Sequence, residues 1–204
     1  MSEKNKPLVV GITGGMGSGK STVARIFSER YGIPVYEADA EAKKVMHRPD
    51  VRRKIQDAFG AETYVDGKLD TGYLAGLVFG NEKRLKKLES IVHPEVRKDF
   101  AGWLQRQKDV PYVILENAIL FKSGMDKLCD FVVYVRADKE HRIRRVKQRD
   151  GISEAAIEKR LKHQSADNFF IKKSHFVLNN NDSIVQLSKK IKNLHEKFIN
   201  AKNI

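Results

Sequence analysis

The fold of this 204-residue chain is decided by one stretch, Gly11-Ile12-Thr13-Gly14-Gly15-Met16-Gly17-Ser18-Gly19-Lys20-Ser21-Thr22. It fills every fixed position of the phosphate-binding loop pattern G-x-x-x-x-G-K-[ST], with Gly14, Gly19, Lys20 and Ser21. An apolar run at residues 8–12 predicts a buried strand that leads into the loop. Apolar residues at helical spacing follow the loop, which predicts a helix directly after it. The order of strand, loop and helix is the setting that a phosphate-binding loop needs.

This stretch predicts a binding site for a nucleoside triphosphate. The backbone N–H groups of such a loop point inward and hold phosphates at the N-terminus of a helix, where the helix dipole favours negative charge. In that arrangement Lys20 reaches the β- and γ-phosphates and the Ser21 hydroxyl binds Mg²⁺. The alternative is a glycine-rich turn with a solvated lysine. The predicted nucleotide-binding residues are Gly15, Met16, Gly17, Ser18, Gly19, Lys20, Ser21 and Thr22.

Five short apolar runs predict the strands of an α/β protein. They lie at residues 8–12, 35–36, 112–115, 131–135 and 176–178. Their β-branched and aromatic content and nearly continuous hydrophobicity fit a parallel sheet that is covered on both faces. Helical patterns between the runs complete the βαβ arrangement.

The long interval between the second and third predicted strands reads as mostly helical. Helical patterns lie near residues 40–46, 51–59, 82–91 and 95–107, with turn signals at Phe59-Gly60 and Asp66-Gly67. A helical insertion in a nucleotide-binding core is a natural place to bind the acceptor of a phosphoryl group. The chain is predicted to end in an amphipathic helix with Ile184, Leu187, Ile191, Leu194 and Phe198 on one stripe.

Composition limits the classes of protein that fit. The net charge of +13 suits either a nucleic-acid surface or pockets for polyanionic small molecules, and the interleaving of basic with acidic residues favours the second. The single cysteine, Cys129, fits a reducing compartment, so we expect a cytoplasmic protein. Apolar runs of about five residues are too short for the roughly 20 residues that span a membrane, and no secretory leader is recognisable.

Two further features favour a small-molecule kinase among the proteins that carry this loop. Arg142, Arg145 and Arg149 share one face of a predicted helix that begins at Asp138, and such a face could close as a lid over the transferred phosphoryl group. Glu37 and Asp39 follow the second strand, where a carboxylate could orient an acceptor hydroxyl. Their alternative role is to cap the helix that begins there. The guanine-reading Asn-Lys-x-Asp pattern of GTPases is absent after the loop.

The chain resembles dephospho-CoA kinases over nearly its whole length. The loop from Thr13 to Val23 is similar to that family's opening, and Glu37-Ala38-Asp39 resembles its Asp-Ala-Asp motif. Further similar segments follow in the family's order: Phe59-Gly60, Asp66 to Asp70, Val78-Phe79, His93-Pro94, Ala118 to Phe121, Arg145, Arg149 to Gly151, Gln164 and Val177 to Asn180.

The resemblance implies a P-loop kinase fold, with a five-stranded parallel sheet flanked by helices, a helical acceptor-binding insertion and a helical lid. In a single domain, the core would cover about 1–40, 110–137 and 174–204, the acceptor region about 41–109 and the lid about 138–173. The implied activity is ATP- and Mg²⁺-dependent phosphorylation of the ribose 3′-hydroxyl of dephospho-CoA, without a nucleic-acid or membrane partner. The implied site residues are Lys20, Asp39 as catalytic base, Arg145 and Arg149 at the phosphoryl group, and His93 at the acceptor.

The chain also departs from the family pattern. Glu37 is a longer carboxylate at the first acid of the Asp-Ala-Asp motif, and Lys122 stands where the family commonly has glutamate. Thr71 and Ala75 replace usual arginines, and Ser174-His175 replaces a common Ala-Asp. Arg142 is not a usual family position. The nearest alternative function is that of a nucleoside monophosphate kinase, and a non-catalytic nucleic-acid-binding protein is a more distant one.

Overall fold

A computed structural model describes residues 6–162 and 167–202 of the chain. The strands are β1 (Leu8–Thr13), β2 (Val35–Glu37), β3 (Tyr64–Val65), β4 (Lys68–Leu69), β5 (Tyr112–Glu116), β6 (Phe131–Arg136) and β7 (Phe176–Asn179). The helices are α1 (Lys20–Tyr31), α2 (Ala38–Met46), α3 (Pro49–Phe59), α4 (Thr71–Val78), α5 (Glu82–Gln105), α6 (Lys139–Asp150), α7 (Glu154–Lys162), α8 (Asp167–Lys173) and α9 (Ile184–Lys202). The described chain forms two compact units, of which the second is Glu37–Arg106.

The first unit, Met1–Tyr36 with Gln107–Ile204, is built on a five-stranded sheet in the order β2-β5-β1-β6-β7. Strand β1 lies at the centre and pairs in parallel with β5 and β6, and β6 pairs in parallel with β7. All five predicted strands are therefore present, and the predicted α/β fold is confirmed. Every residue of β5 is buried, as the continuous apolar run predicts for a strand covered on both faces.

The main core lies between the sheet and helices α1 and α9. Val10, Ile12 and Ile114 from the sheet meet Phe27 of α1 and Phe198 of α9 in one buried cluster. The predicted stripe of α9 is confirmed at Leu187, Ile191, Leu194 and Phe198. Ile184, in contrast, is 54 % exposed, because it occupies the first residue of the helix, before the stripe reaches the core.

Cys129 lies against the central strand on the other side of the sheet. A Cβ atom at Gly11 would come within 2.8 Å of its Sγ, and the thiol donates to the Met125 carbonyl at 3.4 Å. Burial raises the pKa of this thiol to about 12. The thiol therefore acts as a small packing group.

The second unit is helical with one short hairpin. Its longest helix, α5, was expected as two helices that part near Pro94, and this prediction is wrong: the helix continues through the proline. Val92, Val96, Phe100 and Leu104 repeat every four residues across it and are all buried. This continuous apolar face outweighs the backbone hydrogen bond that the proline removes.

Polar contacts connect the elements of the second unit. Arg48 pairs with Asp99, Lys54 pairs with Glu95 at 2.9 Å, and the Tyr64 hydroxyl donates to the Met46 carbonyl at 2.5 Å. The turn predicted at Asp66-Gly67 joins β3 to β4, with positive φ at both residues. Three elements here were not predicted: the two-residue strands β3 and β4 are too short to give a pattern, and α4 lacks a polar face that would mark it as amphipathic.

Within the described ranges, no helix is long and apolar enough to cross a membrane.

Candidate active site

The loop between β1 and α1 is shaped by glycines that admit close neighbours. A Cβ atom at Gly14 would lie 2.5 Å from the Val135 carbonyl oxygen, so the loop passes directly over the end of β6. Gly19 has φ of 91°, a left-handed conformation that favours glycine, and it forms the N-cap of α1. The first backbone bond of the helix runs from the Val23 N–H to the Gly19 carbonyl. The loop therefore opens onto a helix N-terminus, as the sequence predicts.

Lys20 is held at the base of this loop by a carboxylate that the sequence analysis missed. Its Nζ lies 3.9 Å from Oε1 of Glu116, and the two side chains are only 14 % and 7 % exposed. Glu116 is the last residue of β5 and is paired in register with Ile12 of β1, which places it beside the start of the loop. The sequence signal that could have revealed this residue is an acid at the end of an otherwise apolar strand.

Ser21 and Glu116 are the candidate ligands for Mg²⁺ in this region. Ser21 is exposed in the first turn of α1, and Glu116 supplies the kind of hard oxygen that Mg²⁺ prefers. No cluster of three or more His, Cys, Asp or Glu side chains fit to hold a metal occurs in residues 6–162 and 167–202. Such a cluster is not needed, because Mg²⁺ in kinases is bound by one or two protein groups together with substrate phosphates.

Helix α6 places two of its arginines on the outer side of the loop. Arg142 donates from Nε to the Met16 carbonyl at 2.9 Å. Arg145 donates from NH1 to the carbonyls of Gly17 and Ser18, at 3.4 and 3.3 Å. Burial lowers the pKa of Arg145, which nonetheless stays charged. The structure thus gives Arg142 a direct contact with the loop, although it is not a usual family position.

Apolar packing supports the same contact between α6 and the loop. Met16 of the loop packs against a small buried cluster of Ile143, Val146 and Ile157, contributed by α6 and α7. The Ser153 hydroxyl caps the start of α7 by accepting from the Ala156 N–H at 3.4 Å. Gln164, part of the predicted lid, lies outside the described residues.

Arg149 is not drawn into this group of contacts. It donates from Nε and NH2 to its neighbour Asp150 at 2.6 and 3.0 Å, and its side chain is 67 % exposed. The hydrogen bond to Asp150 raises the pKa of Arg149. Its role at the phosphoryl group stays a prediction.

The remaining predicted site residues belong to the second unit. Asp39 is exposed in the first turn of α2, where the helix dipole stabilises a negative charge. Glu37 occupies the N-cap position of that helix, but its side chain makes no capping hydrogen bond, so the capping alternative does not explain it. His93 is half-buried on α5, directly before Pro94.

The substitution at His175 has a structural explanation. The imidazole Nδ1 of His175 accepts from the Val132 N–H at 3.0 Å, and the backbone N–H of His175 donates to the Val132 carbonyl. The imidazole nitrogen therefore supplies an acceptor at this end of β7, as a carboxylate could. This position is structural and lies outside the group of residues at the loop.

The central parallel strand leads into a complete phosphate-binding loop. A buried Lys–Glu pair lies at the base of that loop, and arginines of a following helix donate to its carbonyls. Together these features define a P-loop kinase. The family model described as dephospho-CoA kinase matches residues 8–186. The chain belongs to the dephospho-CoA kinase family.

Individual relatives agree with this assignment. A dephospho-CoA kinase of Fusobacterium nucleatum is 36 % identical over 190 residues, which cover 93 % of this chain and 97 % of the relative. A crystal structure of a Thermus thermophilus protein superposes with a TM-score of 0.82 at 36 % identity, covering 94 % of this chain and 97 % of that one. The dephospho-CoA kinase from Campylobacter jejuni superposes with a TM-score of 0.69 at 25 % identity, covering 96 % and 98 %.

Proposed function

We propose that this protein transfers the γ-phosphoryl group of ATP to the ribose 3′-hydroxyl of dephospho-CoA, giving coenzyme A and ADP in the last step of coenzyme A synthesis. The observation that carries the proposal is the complete loop over the buried Lys20–Glu116 pair, in a chain that matches the family model from residue 8 to 186. The loop defines the donor, and the family match defines the acceptor.

On the donor side, the loop N–H groups from Gly15 to Thr22 hold the triphosphate, and Lys20 neutralises its β- and γ-phosphates. The Ser21 hydroxyl and the Glu116 carboxylate would hold Mg²⁺, which would supply positive charge to the triphosphate. Glu116 lies 3.9 Å from Lys20, so it also keeps the ammonium directed at the loop in the absence of phosphate.

On the acceptor side, Asp39 orients the 3′-hydroxyl and accepts its proton as the hydroxyl attacks the γ-phosphorus. Asp39 is exposed in the first turn of its helix and is therefore open to a substrate. Arg145 and Arg149 supply positive charge to the equatorial oxygens of the transferred group, and His93 contributes to acceptor binding. Helix α6 with α7 forms the lid that excludes water.

We also propose that the net charge of +13 serves these polyanionic substrates rather than a nucleic acid, and that the enzyme works in the cytoplasm. Binding of random DNA or RNA at physiological ionic strength, with a steep dependence on salt, would contradict the first of these statements.

The test is product analysis. The protein is incubated with Mg-ATP and dephospho-CoA, and in parallel with Mg-ATP and each nucleoside monophosphate, and the products are identified by mass spectrometry. We expect one added phosphate on dephospho-CoA and none on the monophosphates. Lys20→Met serves as the inactive control for contaminating kinases. Phosphorylation of a monophosphate but not of dephospho-CoA would move the protein to the alternative class.

A further inference from the structure

We infer that Asn180 is a positioning residue for ATP binding, because it forms hydrogen bonds with both the loop and Arg145 although it belongs to neither the loop nor helix α6. Asn180 directly follows β7 and is 5 % exposed. Its N–H donates to the Arg136 carbonyl at 2.8 Å, its side-chain Nδ2 donates to the Ser18 carbonyl at 2.7 Å, and its carbonyl accepts from Arg145 NH2 at 2.8 Å. One residue thus joins the sheet, the loop and helix α6. The inference rests on the proposed function, since it concerns the ATP site.

The fit between the loop and Asn180 is close. A Cβ atom at Gly19 would lie 2.3 Å from Nδ2 of Asn180, so the amide occupies the space that any side chain at position 19 would need. Arg145 NH1 donates to the same Ser18 carbonyl that Asn180 engages. The Ser18 carbonyl is therefore held by two donors from two later elements.

Fixing this carbonyl also fixes a phosphate-binding group. The Ser18 carbonyl and the Gly19 N–H belong to one peptide unit, and in a trans peptide they point in opposite directions. Because Asn180 and Arg145 hold the carbonyl outward, the Gly19 N–H is directed to the interior of the loop. Arg142 does the same for the peptide unit between Met16 and Gly17, because its hydrogen bond to the Met16 carbonyl directs the Gly17 N–H inward. Donors set in advance bind an anion without a cost of reorganisation.

The substitution Asn180→Asp tests this inference with little change in shape. It replaces the Nδ2 donor by a carboxylate oxygen that faces the Ser18 carbonyl at hydrogen-bond distance, so the two acceptors repel each other. We expect the dissociation constant for Mg-ATP, measured by isothermal titration calorimetry, to rise by about tenfold or more, because a buried carbonyl then faces a second acceptor in place of a donor. The KM for dephospho-CoA should stay within about twofold of the wild-type value.

The matched control is Asn179→Asp, which adds the same charge one residue earlier at an exposed position. We expect it to change ATP affinity by less than about threefold. The coupling to Arg145 is measured with Asn180→Ala, Arg145→Ala and the double variant. If the two residues act on one carbonyl, the loss caused by Asn180→Ala differs by about threefold or more between the wild-type and the Arg145→Ala backgrounds.

Wild-type ATP affinity in both Asn180 variants, or equal losses of affinity for ATP and for dephospho-CoA, would overturn the inference. Failure of both variants to fold would also overturn it, because Asn180 would then be structural only. Wild-type protein that binds ATP but leaves dephospho-CoA unphosphorylated contradicts the proposed function instead, and the ATP affinities of the variants still decide the role of Asn180.

Discussion

The two compact units differ in how far their polar contacts are exposed to solvent. In the first unit, the contacts at the loop are buried: Lys20 with Glu116, and Asn180 with the Ser18 carbonyl. In the second unit, Arg48 with Asp99 and Lys54 with Glu95 have basic partners that are 42 % and 52 % exposed. Buried polar groups are costly to leave unpaired, whereas exposed ion pairs contribute little. The contacts that hold the nucleotide-binding loop are therefore costly to break, whereas the ion pairs within the unit that carries Asp39 break at little cost.

The largest expected effect comes from breaking the buried pair of the first unit. Lys20→Met removes the ammonium that lies 3.9 Å from Glu116 and, with it, the positive charge that we propose for the β- and γ-phosphates. We expect kcat/KM for ATP to fall by about 10³-fold or more in a coupled assay. The control is Lys43→Met, a lysine of the second unit, which should keep activity within about twofold. A comparable loss in both variants would contradict the special place of the buried pair.

The second prediction concerns the chemical group that the second unit contributes. Asp39→Asn keeps the shape but removes the proton acceptor, so kcat should fall by about 10²-fold or more. The dissociation constant for ATP should change little, because the loop contacts remain.

Glu37→Gln is the matched control for Asp39→Asn, since it neutralises the other acid of the same segment. We expect it to cost less than about tenfold in kcat. If Glu37→Gln costs more than Asp39→Asn, the assignment of the base passes to Glu37.

A buried polar contact of the first unit far from the chemistry should respond to pH. The Tyr112 hydroxyl lies 2.6 Å from Nδ1 of His195, and the His195 ring stacks on Tyr31. Burial lowers the pKa of His195 below its usual 6.5, so the unfolded chain takes up the proton first as pH falls. The contribution of His195 is therefore present above about pH 6.5 and is lost below it.

Urea unfolding at pH 7.5 and 5.5 measures this effect. We expect the transition midpoint of the wild type to fall further between the two pH values than that of His195→Gln, which cannot gain a proton. Equal shifts in the two proteins would show that the histidine does not titrate between them.

The smallest effect should come from the exposed pairs of the second unit. Arg48→Ala breaks the pair with Asp99, and we expect a loss of less than about 1 kcal/mol in the free energy of unfolding. The same measurement on Phe100→Ala, a buried residue of α5, should lose about 3–5 kcal/mol. A large loss from Arg48→Ala would show that the second unit depends on its ion pairs after all.

The sequence was most informative where one local pattern settles the structure. The loop pattern from Gly14 to Ser21 and the apolar strands predict the central layer of the first unit, because each pattern depends on residues that are adjacent in the chain. Pro94 was misleading, since local propensity marks a break that the apolar face of α5 overrides. Glu116 was missed, and Asn180 was noted only as the end of a family-like segment, because their partners are far away: Asn180 is 162 residues from Ser18. Neither residue belongs to a short motif whose chemistry is visible without the fold.

That separation also determines when the loop can be completed during synthesis. The carbonyls of Met16, Gly17 and Ser18 emerge from the ribosome early, but the side chains that hold them arrive with helix α6 and with residue 180. A nascent chain that ends at β6 already contains β1, β5 and β6, yet it lacks these donors. ATP therefore meets a finished loop only after residue 180 has been synthesised and has reached the loop.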